Sequence, residues 1–262
     1  MDALITAGGI PAPADPLYPY THGEAKSLLP LAGKPVVQWV LDAVSACDDI
    51  DNILIVGLQP DNTLGTSNKT HYLANQGDLI TNIRMGLLEL SRISPQEPYA
   101  LLISGDTPGI TAAMLDWMIA QVKTQPHEFY YPVVERRRME ARYPGSRRTF
   151  LRFKDIEVCG GDVMALNKTL ANKTMPRIQQ LVSARKQPLR QAAMIGFDIL
   201  LLLALRQLTL AGAVRRICPR LGVDGIAIPA PYAEMAMDID KPYQLELLEQ
   251  DFMSHSTRED HQ

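Results

Sequence analysis

The chain has 262 residues, 46% of them hydrophobic, enough to bury a substantial core as one domain or as one domain with an elaboration. A net charge of −3 gives no general electrostatic reason to bind nucleic acid. Three cysteines, Cys47, Cys159 and Cys218, are too scattered for a disulfide framework or a metal cluster, so a reducing, cytoplasmic compartment is the expectation.

Asp2–Ala7 is a short apolar run, β-strand in character, that starts too early to leave room for a signal peptide. It runs into Gly8–Gly9, where the lack of a Cβ lets backbone N–H groups approach an anion. A Pro-rich piece, Pro11–Tyr20, leads on to Lys26-Ser-Leu-Leu-Pro-Leu-Ala-Gly-Lys-Pro35. Apolar residues at helical spacing follow over Val36–Ala46, Leu79–Leu90 and Met114–Val122, with strand-like runs at Ile53–Gly57 and Leu101–Ser104. Repeated strand–helix–strand units predict a mainly parallel, Rossmann-like α/β sheet flanked by helices, with ligands at the carboxyl ends of the strands.

After Gln125 the rhythm changes. Phe129–Val134 and Thr149–Phe153 read as strands around a charged loop, Glu135–Arg142, and Val163–Leu166 reads as another strand. Helical stretches around Arg177–Arg185, Leu189–Leu205 and Leu210–Ile217 predict a helical insert over 175–220 within a single domain, 1–262. Strand character returns at Gly222–Ile228 and Met235–Met237, a last helix at Tyr243–Phe252, and a polar tail, Ser254–Gln262, is expected to fray. Ile195–Arg206 is very apolar but falls well short of the ~20 residues that span a bilayer. A buried helix is the better reading, and a surface helix meeting a lipid substrate the lesser one.

The glycine turn followed by Lys26 suits a polyphosphate, since a mobile ammonium adds charge to the backbone donors. It is neither Gly-x-Gly-x-x-Gly nor a loop closed by Gly-Lys-Ser/Thr. With Leu4, Gly8, Gly9, Lys26, Leu28, Leu29, Pro30, Gly33, Lys34 and Pro35, the segment resembles the signature of the sugar-phosphate and cofactor nucleotidyltransferases. That group includes the MobA-like guanylyltransferases and the methylerythritol cytidylyltransferases. Two departures stand out: the extra Pro-rich piece, and the lack of the arginine that these proteins carry in the loop. His22 or an arginine from elsewhere would have to replace it.

The resemblance implies a GT-A type mixed sheet and an Mg²⁺-dependent enzyme. The reaction would move an NMP group from an NTP to a small-molecule acceptor bearing a phosphate or hydroxyl, with release of pyrophosphate. Ala7, Gly8, Gly9 and Lys26 would hold the phosphates. Gly105-Asp106-Thr-Pro108 matches a Gly-Asp-x-Pro pattern, which makes Asp106 a metal ligand. In Asp238-Ile-Asp-Lys-Pro242, Asp240 matches the position that completes the metal site, with Asp238 a near alternative; both share a face if the segment is extended. Gly77, Asp78 and Asn82 fall where relatives bind the base, and an amide at Asn82 leaves base identity open. Gly161 and Asp162, in Cys159-Gly-Gly-Asp162, are candidates for an acceptor-binding turn.

Plainer readings stand beside these. Asp106 could cap the helix that begins near Thr111, and Asp240 the final helix. Arg136, Arg137, Arg138, Arg147 and Arg148 could hold an anionic acceptor, although such a run is more often solvated. His22, His71 and His127 have no partner spacing and read as surface residues. Two competing functions remain: a metal-dependent glycosyltransferase built on Asp238-Ile-Asp240, and a non-catalytic nucleotide-binding protein. The resemblance extends to Gln125 and resumes over Asp238–Leu248; it names neither base nor acceptor and is compatible with a homo-oligomer.

Overall fold

The computed structural model describes residues 1–60, 64–183 and 196–259. The first half alternates strand and helix: β1 Asp2–Thr6, α1 Val36–Ser45, β2 Ile53–Val56, β3 Thr70–Leu73, α2 Leu79–Ile93, β4 Tyr99–Ser104 and α3 Ala112–Thr124. β1 pairs in parallel with β2 on one side and β4 on the other, and β3 extends the sheet beyond β2. Side chains alternate across β1. Ala3 and Ile5 pack into one core with α1 and α3, whereas Leu4 packs into a second core with α2. With both faces covered, β1 and β2 have to be continuously apolar, which is why they were legible.

The second half turns the sheet mixed. Its elements are β5 Phe129–Glu135, α4 Arg136–Arg142, β6 Leu151–Arg152, β7 Glu157–Gly160, β8 Val163–Asn167, α5 Met175–Ser183, α6 Phe197–Ala204, α7 Leu210–Leu221, β9 Gly225–Pro229 and α8 Pro242–Glu259. β8 runs antiparallel between β4 and β5, β7 antiparallel to β5 and β6, and β9 parallel to β5. Among the described residues this completes a nine-stranded sheet. The α/β, mainly parallel architecture expected from the sequence is the one observed.

Several local expectations need correction. Glu135–Arg142 is not a loop but a strand end and helix α4, closed by an i,i+4 pair between Arg136 and Glu140. Met235–Met237 is no strand; Ala233–Ala236 forms a 3₁₀ turn that packs its apolar residues into the core. The final helix runs on to Glu259 instead of fraying from Ser254. Only Leu151–Arg152 of the expected strand Thr149–Phe153 pairs in the sheet. Within the expected insert, 175–220, α5, α6 and α7 are present, and the part of the expected helices within 184–195 lies outside the described residues. α6 is not the buried helix expected, since only Ile199 is buried and Phe197, Leu200 and Leu201 are exposed.

A buried ion pair ties the two halves together. Lys168 Nζ lies 2.5 Å from Asp2 Oδ2 and also donates to the carbonyls of Leu90 and Ser94. Asp2 accepts further hydrogen bonds from Asn52 and Ser94. Two charges out of water need this degree of satisfaction.

Candidate active site

A cavity of about 550 Å³ opens at the carboxyl ends of β1 and β4. Its floor is the turn after β1. Ala7 donates its N–H to Val56, so it continues the sheet, while the amides of Gly8 and Gly9 make no hydrogen bond among the described residues. Gly8 is dictated by packing: a methyl group there would stand 2.7 Å from Gly57 Cα. Gly57 in turn sits at φ +102° with its own would-be methyl 2.3 Å from Gly8 Cα. Two segments of the chain cross at van der Waals contact, and only glycine permits it.

Lys26 is placed by the same turn. Its N–H donates to Gly9, and the next residue, Ser27, donates its hydroxyl to Ala7. The side chain then reaches across to two carboxylates: Lys26 Nζ lies 2.5 Å from Asp106 Oδ2 and 2.7 Å from Asp240 Oδ1. Burial works against this charge, but Asp106 and then Asp240 outweigh it and hold the ammonium's pKa above the usual lysine range. Asp240 is pulled the other way: burial raises it, and the bond from Lys26 brings it below the usual carboxylate range.

Asp106, Asp238 and Asp240 place one carboxylate oxygen each within 4.8 Å of one another. Asp106 lies two residues beyond the end of β4 and accepts from the Ser104 hydroxyl as well as from Lys26, so its carboxylate faces the cavity rather than capping α3. The capping reading of Asp240 fails similarly. Its carboxylate takes Lys26, and its backbone N–H is accepted by Gln244 of α8. Asp238 pairs with Arg148, whose guanidinium also stands 3.8 Å from Asp162.

Asp162 lines the cavity, and its Oδ2 is buried without a hydrogen-bond partner. Burial pushes the Asp162 carboxyl up to about 7, with the Asp106 charge adding to the shift and Arg148 opposing it. Gly161 does not line the cavity. Its N–H donates to Pro132, and its role is to let the chain pass Pro132 and Met235 closely.

The opposite wall carries Asn75, Gly77, Asp78 and Asn82. Gly77 sits at φ +103°, in the left-handed region that favours glycine. Asp78 caps α2 through the amides of Ile80 and Thr81, and the Thr81 hydroxyl, then the Thr81 amide, hold its carboxylate below its ordinary value. Asn82 is buried and spends its side chain on Gln76 and Asn75. Both therefore shape the wall, with Gly77 and Leu79 completing it.

Compared with known proteins, the sequence matches the MobA-like NTP transferase domain over residues 21–224. The chain belongs to this family. The transferase is also 30% identical to a hypothetical transferase from Thermus thermophilus, over 94% of this chain and 100% of that one, with a TM-score of 0.79. Its fold is shared by CMP:2-keto-3-deoxy-manno-octonic acid synthetase solved with CTP (14% identity, 97% and 98% covered, TM-score 0.56). It is shared too by the molybdopterin-guanine dinucleotide biosynthesis protein A of Archaeoglobus fulgidus (11% identity, 97% and 100% covered, TM-score 0.53). None of the curated proteins matches the sequence. Family and fold together support nucleotidyl transfer as the class of reaction. Among the described residues, no helix of the transferase is long and apolar enough to cross a membrane.

Sequence reasoning undervalued Arg148 by grouping it with a basic run. In the transferase Arg136 and Arg137 pair locally with Glu140, Glu157 and Glu135, while Arg148 turns toward Asp238 and Asp162, which line the cavity. Gly145 and Arg147, both at positive φ, make the turn that separates them. His22 is exposed and does not line the cavity, so it does not replace the missing loop arginine. His127 is not partnerless; its Nδ1 lies 3.1 Å from Asp224.

Proposed function

We propose that this transferase moves a nucleoside monophosphate from an NTP to a small phosphate- or hydroxyl-bearing acceptor, with Mg²⁺ held by Asp106, Asp240 and Asp238. The observation that carries the reading is the Lys26 ammonium seated between Asp106 and Asp240 at the end of the glycine turn. Three carboxylate oxygens within 4.8 Å form the hard, anionic donor set that suits Mg²⁺. When bound, that ion supplies charge neutralisation at phosphoryl oxygens.

The chain's own residues divide the remaining work. The free amides of Gly8 and Gly9 and the Lys26 ammonium stabilise charge on the phosphates. Asn75, Gly77, Asp78 and Asn82 form the wall against which the base lies. Arg148, held by Asp238, takes the charge-neutralising part of the absent loop arginine. An acceptor oxygen bonds to the α-phosphorus, the bond from that phosphorus to the bridging oxygen of the β-phosphate breaks, and pyrophosphate leaves. If the acceptor is a hydroxyl, its proton passes to Asp162 Oδ2, the carboxylate oxygen that lacks a hydrogen-bond partner. Lys26 ties the Asp238–Asp240 segment to Asp106, a link that a glycosyltransferase built on those two aspartates alone would leave unused.

Thermal shift with CTP, GTP, UTP and ATP, each with Mg²⁺, tests donor binding. A ligand at 100 times its Kd stabilises by ~2.7 kcal/mol. Pyrophosphate release should then fall at least ~10²-fold in Asp106→Asn. Undiminished transfer in that variant would remove Asp106 from the mechanism.

A further inference from the structure

A second cavity, of about 230 Å³, lies between α7 and the sheet surface formed by β5, β7 and β9. Its walls are aliphatic and aromatic, among them Phe129, Tyr131 and Val133 from β5 and Ala213 and Ile217 from α7. Apolar cavities of ~150 Å³ already stay dry and accept a molecule such as benzene. This one is larger and offers no set of polar partners that would hold water.

Its position relates it to the transfer site. Gly160 lines it, and two residues further on Asp162 lines the nucleotide cavity, so a single strand end separates the two spaces. Tyr131 lies over Gly160 so closely that a methyl group there would be 1.9 Å from the tyrosine oxygen. Burial, and next the Asp162 charge, push the Tyr131 phenol's pKa up. On the far side, Phe153, Ala213 and Ile217 belong at once to the cavity wall and to the small core under α6. The outer face of α6 and its end expose Phe197, Leu201 and Leu205, each 57% or more accessible.

We propose that the apolar cavity is a subsite for the hydrocarbon chain of an amphiphilic acceptor, an alkyl or isoprenoid phosphate or alcohol whose polar end meets Asp162. The proposal rests on the nucleotidyl-transfer reading above for the role of that polar end. The apolar face of α6 is then the approach by which the chain leaves a lipid phase. An acceptor with a wholly polar body leaves both features unused.

Titration calorimetry on the full chain, without nucleotide, with butyl, hexyl, octyl and decyl phosphate kept below micelle formation, tests it. Affinity should rise up to about fourfold per added methylene until the cavity is full. Ala213→Phe, which fills the cavity, should flatten that dependence, and Leu201→Glu, on the surface of α6, should preserve it. Equal affinity of the wild type for butyl and decyl phosphate overturns the proposal whether or not any variant folds. So does a chain-length dependence that survives Ala213→Phe but is lost in Leu201→Glu, because that is surface adsorption. Pyrophosphate release is measured separately with the same phosphates and each NTP. Release without chain-length dependence overturns the apolar subsite and leaves the transferase; chain-length-dependent binding with no release overturns these phosphates as acceptors, and the transferase reading is then decided by the nucleotide and Asp106→Asn measurements above.

Discussion

Lys26 and Asp240 are 214 residues apart in the chain and 2.7 Å apart in space, with Asp106 on the other side of the same ammonium. Three like charges gathered within 4.8 Å repel strongly unless a cation sits among them. Lys26 supplies that cation from within the chain for Asp106 and Asp240, and Arg148 supplies it for Asp238.

Lys26→Met should therefore do two separable things. Without metal it lowers the thermal midpoint, because the carboxylates lose their counter-ion, and added Mg²⁺ recovers more in the variant than in the wild type. With metal present, kcat/KM for pyrophosphate release still falls about 10²–10³-fold, since a preorganised donor to the phosphates is gone. Calorimetric scans with and without Mg²⁺, alongside initial rates, read both effects.

The glycine crossing predicts a contrast between neighbours. Gly8→Ala forces a methyl against Gly57 and should cost about 1–3 kcal/mol as an overpacked site. Gly9→Ala meets nothing nearer than 3.7 Å and should change stability by no more than about 0.5 kcal/mol. Urea unfolding of the two variants decides this, and equal losses would contradict it.

Asp162 makes stability depend on pH. The folded apo-protein keeps that proton up to about pH 7. The unfolded chain releases it near pH 4. Between those limits the folded state binds more protons, so this contribution to stability is lost as pH rises and levels off above pH 7. Asp162→Asn removes the effect. Its advantage over the wild type should be smallest below pH 4 and reach about 2–4 kcal/mol at pH 8, measured by urea unfolding in EDTA.

Lys168→Met leaves Asp2 buried without its ammonium partner and should destabilise by about 3–5 kcal/mol. Because this pair lies away from the cavity, the folded fraction should keep its pyrophosphate-release rate. A variant of normal stability would show that the hydrogen bonds from Asn52 and Ser94 satisfy Asp2 unaided.

What was readable in advance follows physical rules. β1, β2 and β4 are covered on both faces and have to be apolar runs, and α1 to α3 bury one stripe each, so periodicity exposes them. β3, Thr70-His-Tyr-Leu73, escaped notice because it lies next to β2 at only intermediate burial and carries no apolar pattern. Met235–Met237 was expected as a strand, and the 3₁₀ turn Ala233–Ala236 was invisible because short 3₁₀ pieces have no periodicity of their own. Arg148 went unrecognised for a different reason: only the positive-φ turn at Gly145 and Arg147 separates it from its solvated neighbours.

By itself the sequence determined the class of sheet and the glycine turn, because local chemistry and spacing constrain them, while it was the resemblance to the nucleotidyltransferase signature that singled out Lys26, Asp106 and Asp240. Only the tertiary structure decided that these three meet, that Arg148 and Asp162 join them, that Gly161 is a packing residue, and that an apolar cavity lies beyond Asp162. Those are contacts between distant segments. They depend on strand order and helix placement, which no local pattern encodes, because burial and charge at each position are set by whichever segment packs against it.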